Sequence, residues 1–250
     1  VVEIQFADYL WTSINHLFNE ISSMYFRSNG LNTLPMVIRM PCGGYIQGGP
    51  YHSQSIEGFL SHCPGLKIVM PSNSFDAKGL LKSAIRDPNP VVFLEHKALY
   101  RQQGFSQQPV ADKSGCIPIG EAKVLKKGES LTIISYAYMT YLVHNVLNDL
   151  DFKDIEHIDL RTIVPLDKQR IIESVKKTGK VLIIQEAAKT CGFAAEIAAM
   201  IGQECFEYLD GPIERICAKD CPVAYSRELE ELILPSKDGI ANAIKRVLAY

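Results

Sequence analysis

The sequence predicts an α/β protein made of two doubly wound units with mostly parallel sheets, and three observations carry that prediction. Apolar runs of strand length alternate with longer stretches whose apolar residues recur every three or four positions, the order expected when helices cross over between parallel strands. The alternation stops between residues 101 and 118, where Arg101-Gln102-Gln103-Gly104-Phe105-Ser106-Gln107-Gln108-Pro109 is polar and non-periodic, and then it starts afresh. A glycine-rich loop, Gly43-Gly44-Tyr45-Ile46-Gln47-Gly48-Gly49, follows an apolar run directly and leads into Pro50-Tyr51-His52-Ser53-Gln54-Ser55, a titratable ring flanked by polar side chains.

In chain order, Leu10, Ile14, Leu17, Phe18, Ile21 and Tyr25 have the spacing of an amphipathic helix over 8–27, stopped before Asn29-Gly30. A buried strand at 36–39 delivers the chain into the glycine loop, and a short helix at 55–61 carries Glu57 in its first turn. A strand at 67–71 ends in Pro71, and Asn73 or Ser74 caps a helix to Arg86 with Asp76 in its first turn. Asp87-Pro88-Asn89-Pro90 breaks that helix before a strand at 91–95. The linker is assigned to 106–117, between units at 1–105 and 118–250. The second unit reads as strands at 131–136, 155–160, 180–185 and 213–217 with helices at 138–150, 167–177, 193–205 and 238–248, and its last helix is expected to start on Asp238 as cap. It is expected to be an independent unit with its own core.

Composition excludes several classes. With 47% hydrophobic and 22% charged residues the chain is globular in type, and a net charge of -2 argues against a nucleic-acid partner. Lys126-Lys127 and Lys176-Lys177 read as solvated faces, and no apolar run approaches the roughly 20 residues of a membrane span, so no membrane partner is expected. The seven cysteines make no Cys-x-x-Cys pair, and Cys217 with Cys221 lacks a nearby histidine, which favours reduced thiols over zinc. Val1-Val2-Glu3-Ile4-Gln5-Phe6 begins in mid-strand without methionine or signal peptide, so a piece of a longer polypeptide is expected.

Several motifs in order across nearly the whole chain carry a resemblance. They are Gln5-Phe6-Ala7-Asp8-Tyr9, Tyr51-His52-Ser53-Gln54-Ser55, Pro64-Gly65-Leu66-Lys67-Ile68-Val69-Met70-Pro71, Asp76-Ala77-Lys78-Gly79-Leu80-Leu81, Asp159-Leu160-Arg161-Thr162-Ile163-Val164-Pro165-Leu166-Asp167, and Glu186-Ala187 with Gly192-Phe193. Together they resemble the β subunit of the thiamine-diphosphate-dependent 2-oxo acid dehydrogenases, the E1 components of the branched-chain 2-oxo acid and pyruvate complexes. The resemblance implies a partial pyrimidine-binding domain at 1–105 and a transketolase C-terminal domain at 118–250. It implies thiamine diphosphate shared with an E1 α subunit or fused α region, which supplies the diphosphate site and Mg2+, so the chain is expected to be inactive alone. The other implied partners are a second β copy and the lipoyl and peripheral binding domains of E2. The compartment implied is the cytoplasm in a bacterium or the mitochondrial matrix in a eukaryote. The family's glutamate that hydrogen-bonds the aminopyrimidine ring falls upstream of Val1 in this match, and Glu3 does not replace it.

Site residues follow from the same resemblance. His52 is assigned to the catalytic cavity, Gln5 and Tyr9 to the pyrimidine pocket and substrate channel, and Phe6 to packing on the aminopyrimidine ring. For each a plain structural role stands as the alternative: a loop histidine, strand-end and helix-start residues, a core phenylalanine. A K+ ion is implied near Ala84, Asp87 and Asn89, although the same residues serve a helix stop and Val37 stands where relatives can have threonine. The run at 43–49 lacks both the phosphate-loop and the dinucleotide patterns, and Ser53 beside His52 is no triad, since triads assemble in space. Gly211-Pro212-Ile213-Glu214-Arg215-Ile216-Cys217 and Phe6-Ala7-Asp8-Tyr9 favour a branched-chain 2-oxo acid over pyruvate. A reading of another class is a catalytically silent module for subunit pairing and E2 docking.

Overall fold

The computed structural model describes residues 1–102 and 115–250. The linker assigned to 106–117 therefore falls largely outside the described residues, although Ile117 is buried and donates its backbone N–H to Gly79 O at 3.3 Å.

Two five-stranded sheets form the framework. The first contains β1 (Val2–Glu3), β2 (Val37–Cys42), β3 (Lys67–Val69), β4 (Val91–His96) and a later strand, in the order β1-β2-β4-β3 and then β8 (Thr162–Val164). The second takes β5 (Lys123–Lys126), β6 (Leu131–Ser135), β7 (Ile155–Asp159), β9 (Val181–Ala188) and β10 (Glu214–Ala218) in the order β10-β9-β6-β7-β5. Pairing is parallel except for β8 on β3 and β5 on β7. Strands β6 and β7 are buried at every residue, as expected of a parallel sheet covered on both faces.

The helices are α1 (Met24–Arg27), α2 (Glu57–Ser61), α3 (Ser74–Arg86), α4 (Ala137–Asp149), α5 (Lys168–Thr178), α6 (Phe193–Glu204), α7 (Arg227–Ile233) and α8 (Lys237–Leu248). Asn73 caps α3 as expected, accepting from Asp76 N at 2.9 Å. The cap of α8 is Ser236, which accepts from Gly239 N at 3.1 Å, so Asp238 lies in the first turn instead. The stretch expected as one helix over 8–27 is a 3-10 helix (Ala7–Ser13), a π-helix (His16–Ile21) and then α1. Its apolar face is real: Leu10 and Leu17 are buried, with Ile14, Phe18 and Ile21 packed beside them. The regular ladder is broken where serine hydroxyls donate back along the chain, Ser22 Oγ to Phe18 O at 2.7 Å and Ser23 Oγ to Asn19 O at 2.5 Å.

The second unit is not independent of the first. Its strand β8 completes the first sheet, and Met70 N donates to Arg161 O at 2.8 Å beside that join. Arg161 reaches across to Asp76 at 3.5 Å while its guanidinium donates to Glu121 O at 2.9 and 3.1 Å, and Ser72 Oγ donates to Asp159. One core cluster runs through both halves, from Leu10, Met40 and Leu94 to Ile134, Ile183 and Ile197. Short β8 follows a positive φ at Arg161 (57°) and is only three residues long, which is why the apolar run gave no sign of its partner.

Two buried titratable groups in this region pull stability in opposite directions with pH. Burial pushes the His157 pKa down to about 3, and its Nε2 lies 2.7 Å from Ser135 Oγ. Unfolding therefore takes up a proton below pH 6.5, the unfolded value, and stability falls as pH drops toward 3, by about 1.4 kcal/mol per unit. Burial pushes Asp159 up to about 7, so its contribution is lost as pH rises from 3.8 through that value. Replacing His157→Gln removes only the first effect. Urea titrations should show the variant gaining roughly 2 kcal/mol relative to wild type between pH 7.5 and pH 5; a pH-independent difference would contradict a neutral buried ring.

Candidate active site

The parallel strands β1, β2 and β4 deliver their carboxyl ends to one edge of the first sheet, where ligands of open α/β sheets bind. Phe6 follows β1, the glycine loop follows β2, and Lys97 follows β4.

The glycine loop is packed rather than open. At Gly43, φ is +84° and an added Cβ would lie 2.1 Å from His96 Nε2, so glycine is required for that ring to approach. At Gly49, φ is +65° and a Cβ would meet the Tyr225 ring at 2.3 Å. Tyr45 and Gln47 also take positive φ (61° and 57°), a conformation that surrounding bonds must hold. Those bonds come from the second unit. Gly44 N donates to Glu186 Oε1 at 2.6 Å, Tyr45 Oη to Pro235 O at 2.7 Å, and Ile46 N and Gln47 N to the Glu230 carboxylate at 3.2–3.3 Å.

Glu186 also accepts from Ser55 Oγ at 3.2 Å and pairs with His96 Nε2. Burial alone would raise its pKa, but the charge and hydrogen bond of His96, with Gly44 N–H and Ser55, outweigh burial and hold it below the usual range. His96 stacks on Tyr138 at 5.0 Å between ring centroids. Nearby, Tyr136 Oη donates to Glu57 at 2.8 Å, and burial pushes the Glu57 pKa up.

His52 closes the short 3-10 helix Gly49–Tyr51. Its ring stands edge-on to Phe6 at 4.8 Å, and its Nε2 lies 2.9 Å from Tyr9 Oη. Asp8 Oδ1 fixes this meeting by accepting from Ser53 N and Gln54 N, both at 3.2 Å, while Trp11 Nε1 donates to Gln54 Oε1 at 3.3 Å. Tyr9 is 41% exposed, so the cluster opens to solvent. A cleft of about 510 Å³ adjoins it, bounded by Tyr51, Ser53 and Gln54 on one side and Glu186, Cys191 and Lys219 on the other.

Three of the four pocket residues expected from sequence, His52, Phe6 and Tyr9, thus meet; Gln5 is exposed beside Phe6. The Asp87 carboxylate of the expected cation turn is taken by Lys67 Nζ at 2.5 Å and Asn89 N at 2.9 Å. Ala84 O accepts from Asp87 N at 3.3 Å. The sequence reading missed Glu230, His96 and Lys97, and gave Glu186 no role, because their partners lie far along the chain.

Residues 1–103 match the transketolase pyrimidine binding domain and residues 120–240 the transketolase C-terminal domain. The chain is 40% identical to the 2-oxoisovalerate dehydrogenase subunit beta of Pseudomonas aeruginosa, over 99% of this chain and 74% of that one. It is 41% identical to the pyruvate dehydrogenase E1 component subunit beta of Rickettsia bellii, over 99% of this chain and 75% of that one. The chain belongs to this E1 β family. A solved split-gene transketolase, an inactive beta4 tetramer, shares the fold with a TM-score of 0.75 at 18% identity, over 98% of this chain and 74% of that one.

E1 β membership implies thiamine diphosphate, and the residues fit one half of it. Phe6 and Tyr9 offer the aromatic wall that a flat pyrimidine ring requires. A diphosphate finds no cradle in the glycine loop, because the Gly44, Ile46 and Gln47 amides are spent on Glu186 and Glu230. These two carboxylates turn the loop toward the protein.

Two glycine substitutions separate packing from backbone freedom. Gly43→Ala meets both the strained φ and the His96 ring and should lower stability by roughly 2–4 kcal/mol in chemical denaturation. Gly202→Ala in α6, with nothing within 4 Å of the added Cβ, should raise it by up to about 1 kcal/mol. Equal effects would contradict the packed-loop geometry.

Proposed function

We propose that this chain, with an E1 α chain, oxidatively decarboxylates a branched-chain 2-oxo acid and passes the acyl group to the lipoyl group of an E2 partner. The observation that carries this reading is the meeting of His52, Tyr9 and Phe6 at the strand ends of a pyrimidine-binding domain. Bound thiamine diphosphate supplies the electron sink for decarboxylation. Phe6 and Tyr9 line one wall of its pyrimidine pocket, and Mg2+ is held with the diphosphate on the α side. K+ is assigned to main-chain oxygens at the Ala84, Asp87 and Asn89 turn.

His52 serves the transfer step. Opening the lipoyl dithiolane breaks its S–S bond; one sulfur takes the acyl carbon and the other needs a proton. An imidazole is suited to deliver it near neutral pH, and the Tyr9 hydroxyl at 2.9 Å holds Nε2 in place for that task. Pyruvate is the second reading, because the pyruvate-type relative is as similar as the 2-oxoisovalerate-type ones.

The test uses the full-length polypeptide assembled with an α chain, assayed on 2-oxoisovalerate and pyruvate. His52→Ala should slow acyl transfer to a lipoyl domain about 100-fold while slowing decarboxylation, read with an artificial electron acceptor, far less. Equal rates for variant and wild type in both assays would remove His52 from the site. A higher kcat/KM on pyruvate would decide for the second reading.

A further inference from the structure

Lys97 begins the 3-10 helix Lys97–Leu99, one residue past the carboxyl end of β4. Its Nζ is shielded from solvent and has no hydrogen-bond partner among the described residues. The ammonium lies 5.2 Å from the Phe6 ring centroid, and that ring stands 4.8 Å from His52. It therefore belongs to the same strand-end cluster as the pocket residues.

An ammonium in this position calls for an anion. A desolvated charge without a counter-charge is destabilising, and a ring face offsets only part of that cost. None of the nearby carboxylates hydrogen-bonds it among the described residues: Asp8 Oδ1 holds Ser53 N and Gln54 N, Asp8 Oδ2 bonds nothing, and Glu186 holds His96, Gly44 N and Ser55. Burial pushes the Lys97 pKa down, against the weaker pull of Cys42, Asp8 and Glu186. Ser53 Oγ, next to His52, is a second buried polar atom without a partner, and it can donate to an anion. Asp8 Oδ2 and Glu57 Oε2 are the other two such atoms among the described residues; Asp8 Oδ2 can only accept and repels negative charge, which weighs against a multiply charged ligand such as a phosphate.

We propose that Lys97 binds the carboxylate of the 2-oxo acid substrate, beside the Phe6–His52 pair. This assignment rests on the proposed function. It makes Lys97 a binding residue, retained at a cost to stability because the ligand supplies the missing counter-charge.

The experiment uses the assembled αβ complex with Lys97→Met, which keeps length and loses charge, and Lys97→Arg, which keeps charge. Lys97→Met should raise KM for 2-oxoisovalerate about tenfold or more with kcat changed less than about threefold. In calorimetry it should weaken isovalerate by a similar factor and leave the neutral isovaleramide unchanged. The melting midpoint of Lys97→Met should hold or rise, and Lys97→Arg should recover most of the isovalerate affinity. An unchanged KM and isovalerate affinity, an equal loss for acid and amide, or a fallen midpoint with kcat and KM both impaired would each overturn the assignment. A wild-type complex that decarboxylates no 2-oxo acid would overturn the proposed function itself, and Lys97 with it.

Discussion

The carboxylate of Glu186 is the constraint on which the rest of the site depends. It projects from β9 in the second unit, yet its three partners, Gly44 N–H, Ser55 Oγ and His96, all belong to the first. A buried carboxylate is tolerated only when its lone pairs are met, and stranding it would cost several kcal/mol. Gly44 and Ser55 stand near the two ends of the segment that carries His52, so one side chain pins both ends of that segment. Glu230 takes the amides in between. The segment that carries His52 is therefore anchored by residues more than 130 positions away, while Asp8 and Tyr9 set the ring itself.

This arrangement explains why the two units behave as one framework. Strand β8 is lent to the first sheet, Arg161 ties Asp76 to Glu121 O, and the Glu186 cluster fastens the opposite side. His96 is shared between the two tasks of ending β4 and pairing Glu186, and its ring fills the space that only a glycine at 43 leaves. The chain thereby presents a rigid aromatic wall with one imidazole and one ammonium. A diphosphate must find its donors elsewhere, because the loop amides already face protein carboxylates.

Much of this order was legible in the sequence. Parallel strands buried on both faces read as apolar runs, so β2, β4, β6, β7 and β9 were found within a few residues. The stretch over 8–27 was half legible: periodicity reports which face is buried, and it says nothing of whether serine hydroxyls will break the ladder. Ser236 and Asp238 are both good caps two positions apart, and only geometry chooses between them. His52, Phe6 and Tyr9 were readable because they sit inside motifs. Glu230 and Lys97 were not, because a buried charge gains its meaning from partners that the fold alone brings near.

Hydrogen–deuterium exchange on wild type and Glu186→Gln tests the central claim most directly, because it reads the loop amides themselves. If Glu186 clamps the loop, exchange should rise across residues 43–55 in the variant, with the Gly44 amide the most affected, while the β2 and β4 amides keep their protection. Unchanged protection of 43–55, or uniform loss across the whole first sheet, would contradict it.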